Sequence, residues 1–339
     1  MWNPNEECTE RMINSELSFP IIMEGRNRFL LWLILLAAII SISSAGAVFQ
    51  LMNEVDPLLR SSWRFQLTAL FMFPFFIYQT KQSVDNSEFV QQLKEKDTIY
   101  IIIGSGLSLG LHMGAWVWSL DNTSLTHSLL FVTIHPLIIV TGALFLRYFV
   151  PKKQIMGAIV GFVGGSIALL GISSDNNATI IGDLAAVFGA FAVVGYFLAG
   201  RKLRQWMPLF TYIFPVTLIA AIQLALISII LEDSTLSLVN SNNSIFGWFS
   251  ITWLPYVLYL ALFPGIVGHA GISMVLRWFP PIVVSVAYLF EPLIGSIIGW
   301  LLGTTDIPST WTWIGGTILI IGMGIIVTNA SEEGEILEE

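Results

Sequence analysis

The sequence predicts an all-α membrane protein with ten transmembrane helices, arranged as two inverted five-helix repeats. Three observations support this fold class: the composition, the spacing of the apolar segments and a duplicated motif. The chain has 339 residues, of which 55% are apolar and 11% are charged, whereas roughly 25% of the residues of a typical soluble domain are charged. So few charges cannot cover a surface that faces water, and the mean hydropathy of +0.76 agrees with this conclusion.

The apolar segments are long enough to cross a bilayer, which takes roughly 20 helical residues. Ten segments meet this condition: 29–51, 57–79, 98–120, 124–148, 153–172, 181–202, 208–231, 251–277, 279–303 and 308–329. The longest connections, 80–97 and 232–250, are polar and too short to form a domain. We therefore expect nearly all of the chain to lie in or against the bilayer.

Positive charge sets the orientation of these helices. With the N-terminus in the cytoplasm, 13 of the 15 basic residues fall in cytoplasmic segments, which is the bias that membrane insertion favours. The sequence therefore predicts a multi-pass integral membrane protein with both termini in the cytoplasm. It leaves open whether the membrane is the plasma membrane or an endomembrane.

A duplicated motif divides the chain into halves. The motif occurs twice, in the same order and about 156 residues apart: His112-Met-Gly114 with His135-Pro136, then His269-Ala-Gly271 with Glu291-Pro292. Five helices per half is an odd number, so the halves have opposite orientations and enclose a cavity near the midplane. The predicted units are a polar tail (1–28), a first repeat (29–172), a second repeat (181–329) and an acidic tail (330–339).

Four local motifs resemble those of one family. They are Arg64-Phe65, Ser124 through Pro136 to Gly161 and Gly164-Gly165, Gly182-Asp183-Leu184, and Glu291-Pro292-Leu293 followed by Gly315-Gly316. Over roughly 29–330, the chain resembles the EamA-like branch of the drug/metabolite transporter superfamily. The resemblance implies a ten-helix secondary transporter, and by analogy the efflux of amino-acid-like compounds.

Glu291 is the first candidate for a substrate-binding residue. A carboxylate inside the membrane is costly, so it should face a cavity or a partner, or carry a proton. The structural alternative is a protonated Glu291 bonded to a carbonyl that Pro292 frees, such as that of Tyr288. Tyr288 is itself a predicted cavity residue.

Histidines and an arginine complete the predicted site. His112 and His269 are matched by the motif, and Trp116 lies one turn after His112 on the same face. The two histidines either line one cavity or join helices by hydrogen bonds. Arg64 would bind an anionic substrate or Glu291, or extend outward to the membrane surface. His127 and His135 are weaker candidates, and Asp183 is predicted to cap the sixth helix.

Several kinds of chemistry have no motif in this chain. There is no phosphate-binding Gly-rich loop, no clustered metal ligands and no spacing typical of a Ser-His-Asp triad. Cys8 is the single cysteine, so no internal disulfide can form. No basic patch suggests nucleic acid. We therefore expect neither an enzyme nor a bound cofactor or metal.

The function that the sequence favours is secondary active transport of a small polar metabolite by alternating access. Glu291 or a histidine is the candidate carrier of a coupling proton. One alternative is a nucleotide-sugar or sugar-phosphate exchanger, whose anionic substrates would need more cavity cations than Arg64. Another is a membrane-embedded scaffold or enzyme. The expected partners are lipid and a small-molecule substrate, and the oligomeric state stays open.

Overall fold

The computed structural model describes residues 25–83, 86–147, 150–170, 179–238, 240–305, 310–311, 313–319, 321–322 and 324–325. The two predicted tails lie almost wholly outside these residues. Most of the connection between the fifth and sixth segments and part of the tenth segment also lie outside them. Within the described part of the chain the secondary structure is helical apart from one isolated bridge, between Thr235 and Ser244.

Eight helices belong to the first half of the chain. They are α1 (Gly25–Ser43), α2 (Ala45–Gln50), α3 (Pro57–Ser83), α4 (Ser87–Lys94), α5 (Lys96–Asn122), α6 (Leu125–Val132), α7 (His135–Phe145) and α8 (Lys152–Leu170). The short helix α4 lies in the connection that the sequence predicted to be a polar loop. Asn86 caps it, because its side-chain oxygen accepts hydrogen bonds from the backbone N–H groups of Glu88 and Phe89.

The described second half contains six α-helices with assigned bounds, one π-helix and three 3₁₀ turns, two of which, Ser241–Asn243 and Gly247–Phe249, come before Leu254. The α-helices are α9 (Ile180–Leu203), α10 (Leu209–Leu231), α11 (Leu254–Leu260), α12 (Gly271–Val275), α13 (Pro281–Ala287) and α14 (Glu291–Leu302). A π-helix, Ala261–Ala270, joins α11 to α12, and a 3₁₀ turn, Tyr288–Phe290, joins α13 to α14.

Prolines explain where three predicted segments are interrupted. The fourth segment breaks between Val132 and His135, directly before Pro136, and the ninth breaks at the 3₁₀ turn before Pro292. Pro264 lies within the π-helix of the eighth segment. Each proline lacks an N–H donor and crowds the preceding turn, so the regular helical hydrogen bonds cannot continue through it. Pro136 and Pro292, which the duplicated motif pairs, therefore interrupt their helices at corresponding positions.

Seven helical stretches among the described residues are long and apolar enough to cross a membrane. They are Phe29–Gln50, Lys96–Asn122, Leu125–Phe145, Ile180–Leu203, Leu209–Leu231, Leu254–Val275 and Pro281–Leu302. Helices α3 and α8 coincide with two further predicted segments. Arg60, Arg64 and Gln66 make α3 too polar to join the seven. Part of the tenth segment lies outside the described residues, so the count of ten stays a prediction.

The packing brings the matched segments to the centre of the bundle. Helix α5 packs along α9, α3 along α10, α1 along the π-helix, and α6 along α14. Large apolar side chains such as Phe145, Ile180 and Ile230 are exposed on the outside. An exposed apolar exterior around a core that contains buried arginines and histidines is typical of a protein whose outer solvent is lipid.

Candidate functional site

A closed cavity lies where the matched segments converge. Ten side chains line it: Ile42, His112, Met113, Trp116, Val132, His135, Val193, His269, Tyr288 and Glu291. The cavity is narrow, with a volume of about 10 Å³, which is room for about one water molecule. Five of the six residues that the sequence predicted for a binding site are on this list, and all five are buried. The sixth, Arg64, lies beside the cavity.

Arg64 is fully buried, with 0% of its surface exposed. Its guanidinium carbon lies 5.9 Å from the ring centre of Phe49 and 5.6 Å from that of Phe65, and Nη1 is 3.7 Å from the Met113 sulfur. Nε and Nη2 have no hydrogen-bond partner. The alternative that Arg64 extends outward to the membrane surface is therefore wrong.

The charge of Arg64 acts on the cavity without a contact ion pair. Arg64 interacts electrostatically with Tyr288 and Glu291. However, the salt bridges found among the described residues, within a 4.0 Å limit, join Arg60 to Asp121 and His127 to Asp183. The guanidinium therefore keeps two N–H-bearing nitrogens free for an acceptor that the protein itself does not provide.

His112 is held in one orientation by helix α9. Its Nδ1 lies 3.0 Å from the carbonyl oxygen of Gly189. Because a carbonyl only accepts, we assign the proton to Nδ1, and Nε2 of the neutral imidazole is then an acceptor. Gly189 allows this close approach, since a Cβ there would lie 3.2 Å from the backbone oxygen of His112. His112 therefore both joins two helices and lines the cavity.

His269 occupies the matching position in the second half. Its ring packs edge-on against Phe65 and Tyr196, with centroid distances of 6.5 and 6.3 Å. Its Nδ1 is buried and has no hydrogen-bond partner. Nδ1 of His269 therefore makes no hydrogen bond between helices, which was the structural alternative for this residue.

His135 and Tyr288 form an aromatic cluster with Phe197 at the cavity wall. The His135 ring lies 5.3 Å from Tyr288 and 5.5 Å from Phe197, both in edge-to-face geometry. The Tyr288 hydroxyl and the His135 Nδ1 have no hydrogen-bond partner. The sequence placed His135 among the weaker candidates. His135 precedes Pro136 as Glu291 precedes Pro292, and this match is the sequence signal that points to His135 as a cavity residue.

Glu291 begins α14 and is 4% exposed. The predicted structural alternative, a hydrogen bond to a carbonyl freed by Pro292, is absent among the described residues. The first turn of a helix favours negative charge, because its N–H groups point toward that end. The carboxyl group therefore lines the cavity at the start of a helix.

His127 lies away from the cavity, in a polar cluster at one end of α9. Its Nδ1 is 3.2 Å from both carboxylate oxygens of Asp183, which also accepts a 2.7 Å hydrogen bond from the Thr123 hydroxyl. The prediction that Asp183 caps this helix was wrong. Thr179 is the cap, because its hydroxyl oxygen accepts from the N–H of Gly182 at 3.1 Å.

The cavity combines an unusual number of unsatisfied polar atoms. Arg64 Nε and Nη2, Trp116 Nε1, His135 Nδ1, His269 Nδ1 and the Tyr288 hydroxyl are all buried without a partner. Each such atom costs about 1–3 kcal/mol, and native proteins leave few of them. Their concentration around one cavity is typical of a place that a ligand or water completes. Among the described residues, no three His, Cys, Asp or Glu side chains are arranged to hold a metal ion.

A second, polar cavity opens at one end of the bundle. Its lining includes Gln50, Asp121 and Thr304. Leu125 lines this polar cavity and packs against glycines of two other segments. A Cβ on Gly46 would lie 2.8 Å from Leu125, and one on Gly299 would lie 2.7 Å from it. The small residues let Leu125 close the space between α2 and α14.

These features define an integral, multi-pass membrane protein with a buried polar cavity at its centre. Residues 28–170 match the model of the EamA-like transporter family, and over these residues the resemblance inferred from the sequence is confirmed. A search of curated proteins finds no match.

One solved structure, titled "Crystal structure of protein", has a similar fold. It superposes with a TM-score of 0.63 and 20% sequence identity, covering 88% of this chain and 97% of that chain. At this identity the likeness concerns the fold alone.

Proposed function

We propose that this protein is a secondary active transporter that moves a small polar metabolite, amino-acid-like or related, by alternating access. The observation that carries the proposal is the set of buried, unpartnered polar atoms around one central cavity. If this cavity had a structural role alone, apolar side chains in place of these polar groups would make the protein more stable. Their retention is reasonable if a substrate binds there for part of each cycle.

Helix packing supports two inverted repeats of five helices. Exchanging the halves converts the contact of α5 with α9 into that of the π-helix with α1, and the contact of α5 with α10 into that of the π-helix with α3. The contacts of α3 with α10 and of α6 with α14 map onto themselves. This is the pattern expected for a pseudo-twofold axis through the cavity.

The chemistry of the cavity suits a zwitterionic substrate. The free nitrogens of Arg64 match a carboxylate, and Glu291 with the Nε2 of His112 matches an ammonium or another donor. Trp116 and Tyr288 offer aromatic walls to the rest of the molecule. Glu291 is the candidate carrier of a coupling proton, because it is an isolated acid in this apolar bundle.

The alternatives have less support. A nucleotide sugar or sugar phosphate would need several cations, and Arg64 is the one guanidinium near the cavity among the described residues. A scaffold or a membrane-embedded enzyme gives no reason for matched polar pairs at a midplane cavity. The orientation, with both termini in the cytoplasm, rests on the distribution of basic residues.

Purified protein in liposomes tests the proposal. The lumen is loaded with one unlabelled metabolite, and counterflow of the labelled compound is measured for amino acids, nucleotide sugars and sugar phosphates, with and without a pH gradient. We expect counterflow for at least one amino-acid-like compound. Counterflow of a sugar phosphate alone would favour the exchanger, and no counterflow of any compound would favour a scaffold or enzyme.

A further inference from the structure

The polar cavity at the end of the bundle, which we call the end vestibule, is much larger than the central cavity. Its volume is about 520 Å³, within the range of about 300–1,000 Å³ that small-molecule sites occupy. The ends of five helices, α2, α5, α6, α9 and α14, supply its lining. The end vestibule therefore has room for an organic molecule and contains residues of both halves of the chain.

The lining of the end vestibule offers acceptors more than donors. The hydroxyl groups of Thr179 and Thr304 already donate to the backbone oxygens of Asn122 and Gly299. The Oε1 atom of Gln50 is buried and has no hydrogen-bond partner. A ligand that fits this lining therefore brings N–H or O–H groups of its own.

Asp121 is the one charged side chain among the described residues of the lining. Arg60 holds it from behind, because Nη2 of Arg60 donates to Oδ1 of Asp121, while Nη1 donates to the carbonyls of Met52 and Val55 at 3.1 and 3.2 Å. The Arg60 side chain is 0% exposed and that of Asp121 is 30% exposed. The end vestibule is therefore lined by the carboxylate, whereas the guanidinium is buried behind it.

The exposed charges around this end of the bundle are acidic. Asp56 acts electrostatically on Asp121, and Glu54, in the same connection between α2 and α3, is exposed. Among the described basic residues, Arg60 and Arg64 lie nearest this end, and both are fully buried. The other described basic residues lie near helix ends on the opposite side of the bundle. Such a surface raises the local concentration of cations.

We propose that the end vestibule is a second binding site, which takes the ammonium group of an organic cation. Asp121, positioned by Arg60, is the charged anchor, and Oε1 of Gln50 is a further acceptor for the three N–H groups of an ammonium. An anion would meet the carboxylate without a free cation to offset it. The width of the end vestibule suits an organic cation better than a bare alkali ion, which needs a tight cage of oxygens. The inference concerns binding at this end alone and does not depend on transport through the central cavity.

Thiol labelling in detergent measures the charge preference of the end vestibule. Cys8 is the single cysteine, so Cys8→Ser gives a background in which Thr305→Cys places one thiol in the lining. Its rates with an ammonium-bearing and a sulfonate-bearing thiosulfonate are each divided by the rate for a small free thiol. We expect the corrected ratio to favour the ammonium reagent by about tenfold. A corrected ratio of one, or a preference for the sulfonate, overturns the proposal.

Two substitutions show whether Asp121 carries the preference. Asp121→Asn should lower the corrected ratio by about threefold to tenfold. Asp233→Asn is the matched control, because it removes an exposed acid outside the lining at a positive φ of 52°, which asparagine tolerates. It should leave the ratio nearly unchanged. Equal effects of the two substitutions would mean that the general surface charge, and not a site at Asp121, sets the preference.

Protection from an uncharged reagent distinguishes a bound cation from an attractive field. N-ethylmaleimide labelling of Thr305→Cys is followed with methylammonium chloride and with sodium chloride at equal ionic strength. We expect methylammonium to slow labelling several-fold and sodium to have little effect. Gln50→Leu, which removes the free acceptor, should weaken this protection. Absence of protection by methylammonium overturns the proposal, and this result needs no substitution at Asp121. Equal protection by sodium would replace the organic cation with an alkali ion and overturns the proposed ligand class.

Discussion

The two halves of the chain supply matched residues to the cavity but satisfy them differently. His112 in the first half is bonded through Nδ1 to Gly189, whereas Nδ1 of His269 in the second half has no partner. In the motif His135 of the first half corresponds to Glu291 of the second, so an imidazole stands where the other half has a carboxyl group. All four residues line the cavity. Matched positions therefore carry different chemistry: the second half contributes the acid, and within the pair His112 and His269 it contributes the Nδ1 without a partner.

Glu291→Gln should have the largest effect on transport. It replaces the carboxyl group that the second half contributes to the cavity with an amide, which cannot carry an acidic proton. We expect accumulation driven by a pH gradient to fall by at least about tenfold, because the amide of glutamine still accepts a hydrogen bond but does not titrate and cannot carry the coupling proton. Counterflow without a gradient should persist. Leu301→Ala on the exposed face of α14 is the control. A variant that still accumulates substrate would remove Glu291 from the coupling step.

Arg64→Lys tests the role of the guanidinium that lies beside the cavity. Lysine keeps the charge but lacks the planar fork of nitrogens that matches a carboxylate. We expect the KM of a carboxylate-bearing substrate to rise about tenfold with a smaller change in maximal rate. Equal KM values for the two proteins in concentration series would mean that Arg64 serves packing against Phe49 and Phe65 alone.

Paired alanine variants of the matched histidines should separate their two roles. His269→Ala should raise the KM several-fold and lower thermal stability only through the lost packing of its buried ring, because its Nδ1 bonds no protein atom. His112→Ala should affect both, since it also loses a buried hydrogen bond to Gly189 that contributes about 1 kcal/mol. Transport assays and thermal unfolding in detergent measure the two effects. Identical behaviour of the two variants would contradict the asymmetry.

The smallest effect is expected at Gly189, where α9 approaches α5. A methyl group there would lie 3.2 Å from the backbone oxygen of His112, so Gly189→Ala should lower the transport rate about threefold by moving His112. Gly104→Ala on α5 meets no atom within 4 Å and is the matched control. Equal rates for these two variants would argue that the position of His112 is not critical.

The duplicated motif and its prolines predicted residues that line the cavity. They did not predict the contacts that hold those residues in place. The motif singled out His112, His269 and Glu291, and all three line the cavity. The burial of Arg64 and the Gly189 contact depend on how closely helices approach each other, which no local pattern encodes. The cap at Thr179 instead of Asp183 reflects a local competition, because Asp183 is taken by His127 and Thr123.

The hydrogen bonds that join the ends of α3 and α10 were equally beyond the sequence. The Glu232 carboxylate accepts from the backbone N–H groups of Leu58 and Leu59 at one end, and the Gln79 side-chain oxygen accepts from that of Phe210 at the other. Glu232 and Gln79 lie in polar stretches near segment ends, where charged and amide side chains are common. Their role depends on partners more than 130 residues away. Only the packing of the two helices reveals that the ends are satisfied mutually.

The central claim is that matched residues of both halves bind one substrate in the cavity between them. A cryo-electron microscopy map of the protein with its transported substrate tests this claim most directly. We expect substrate density in contact with the Arg64 guanidinium and the Glu291 carboxyl group, between two halves that superpose after a rotation about an axis in the membrane plane. Density confined to the polar cavity lined by Gln50 and Asp121, with the central cavity empty, would contradict it.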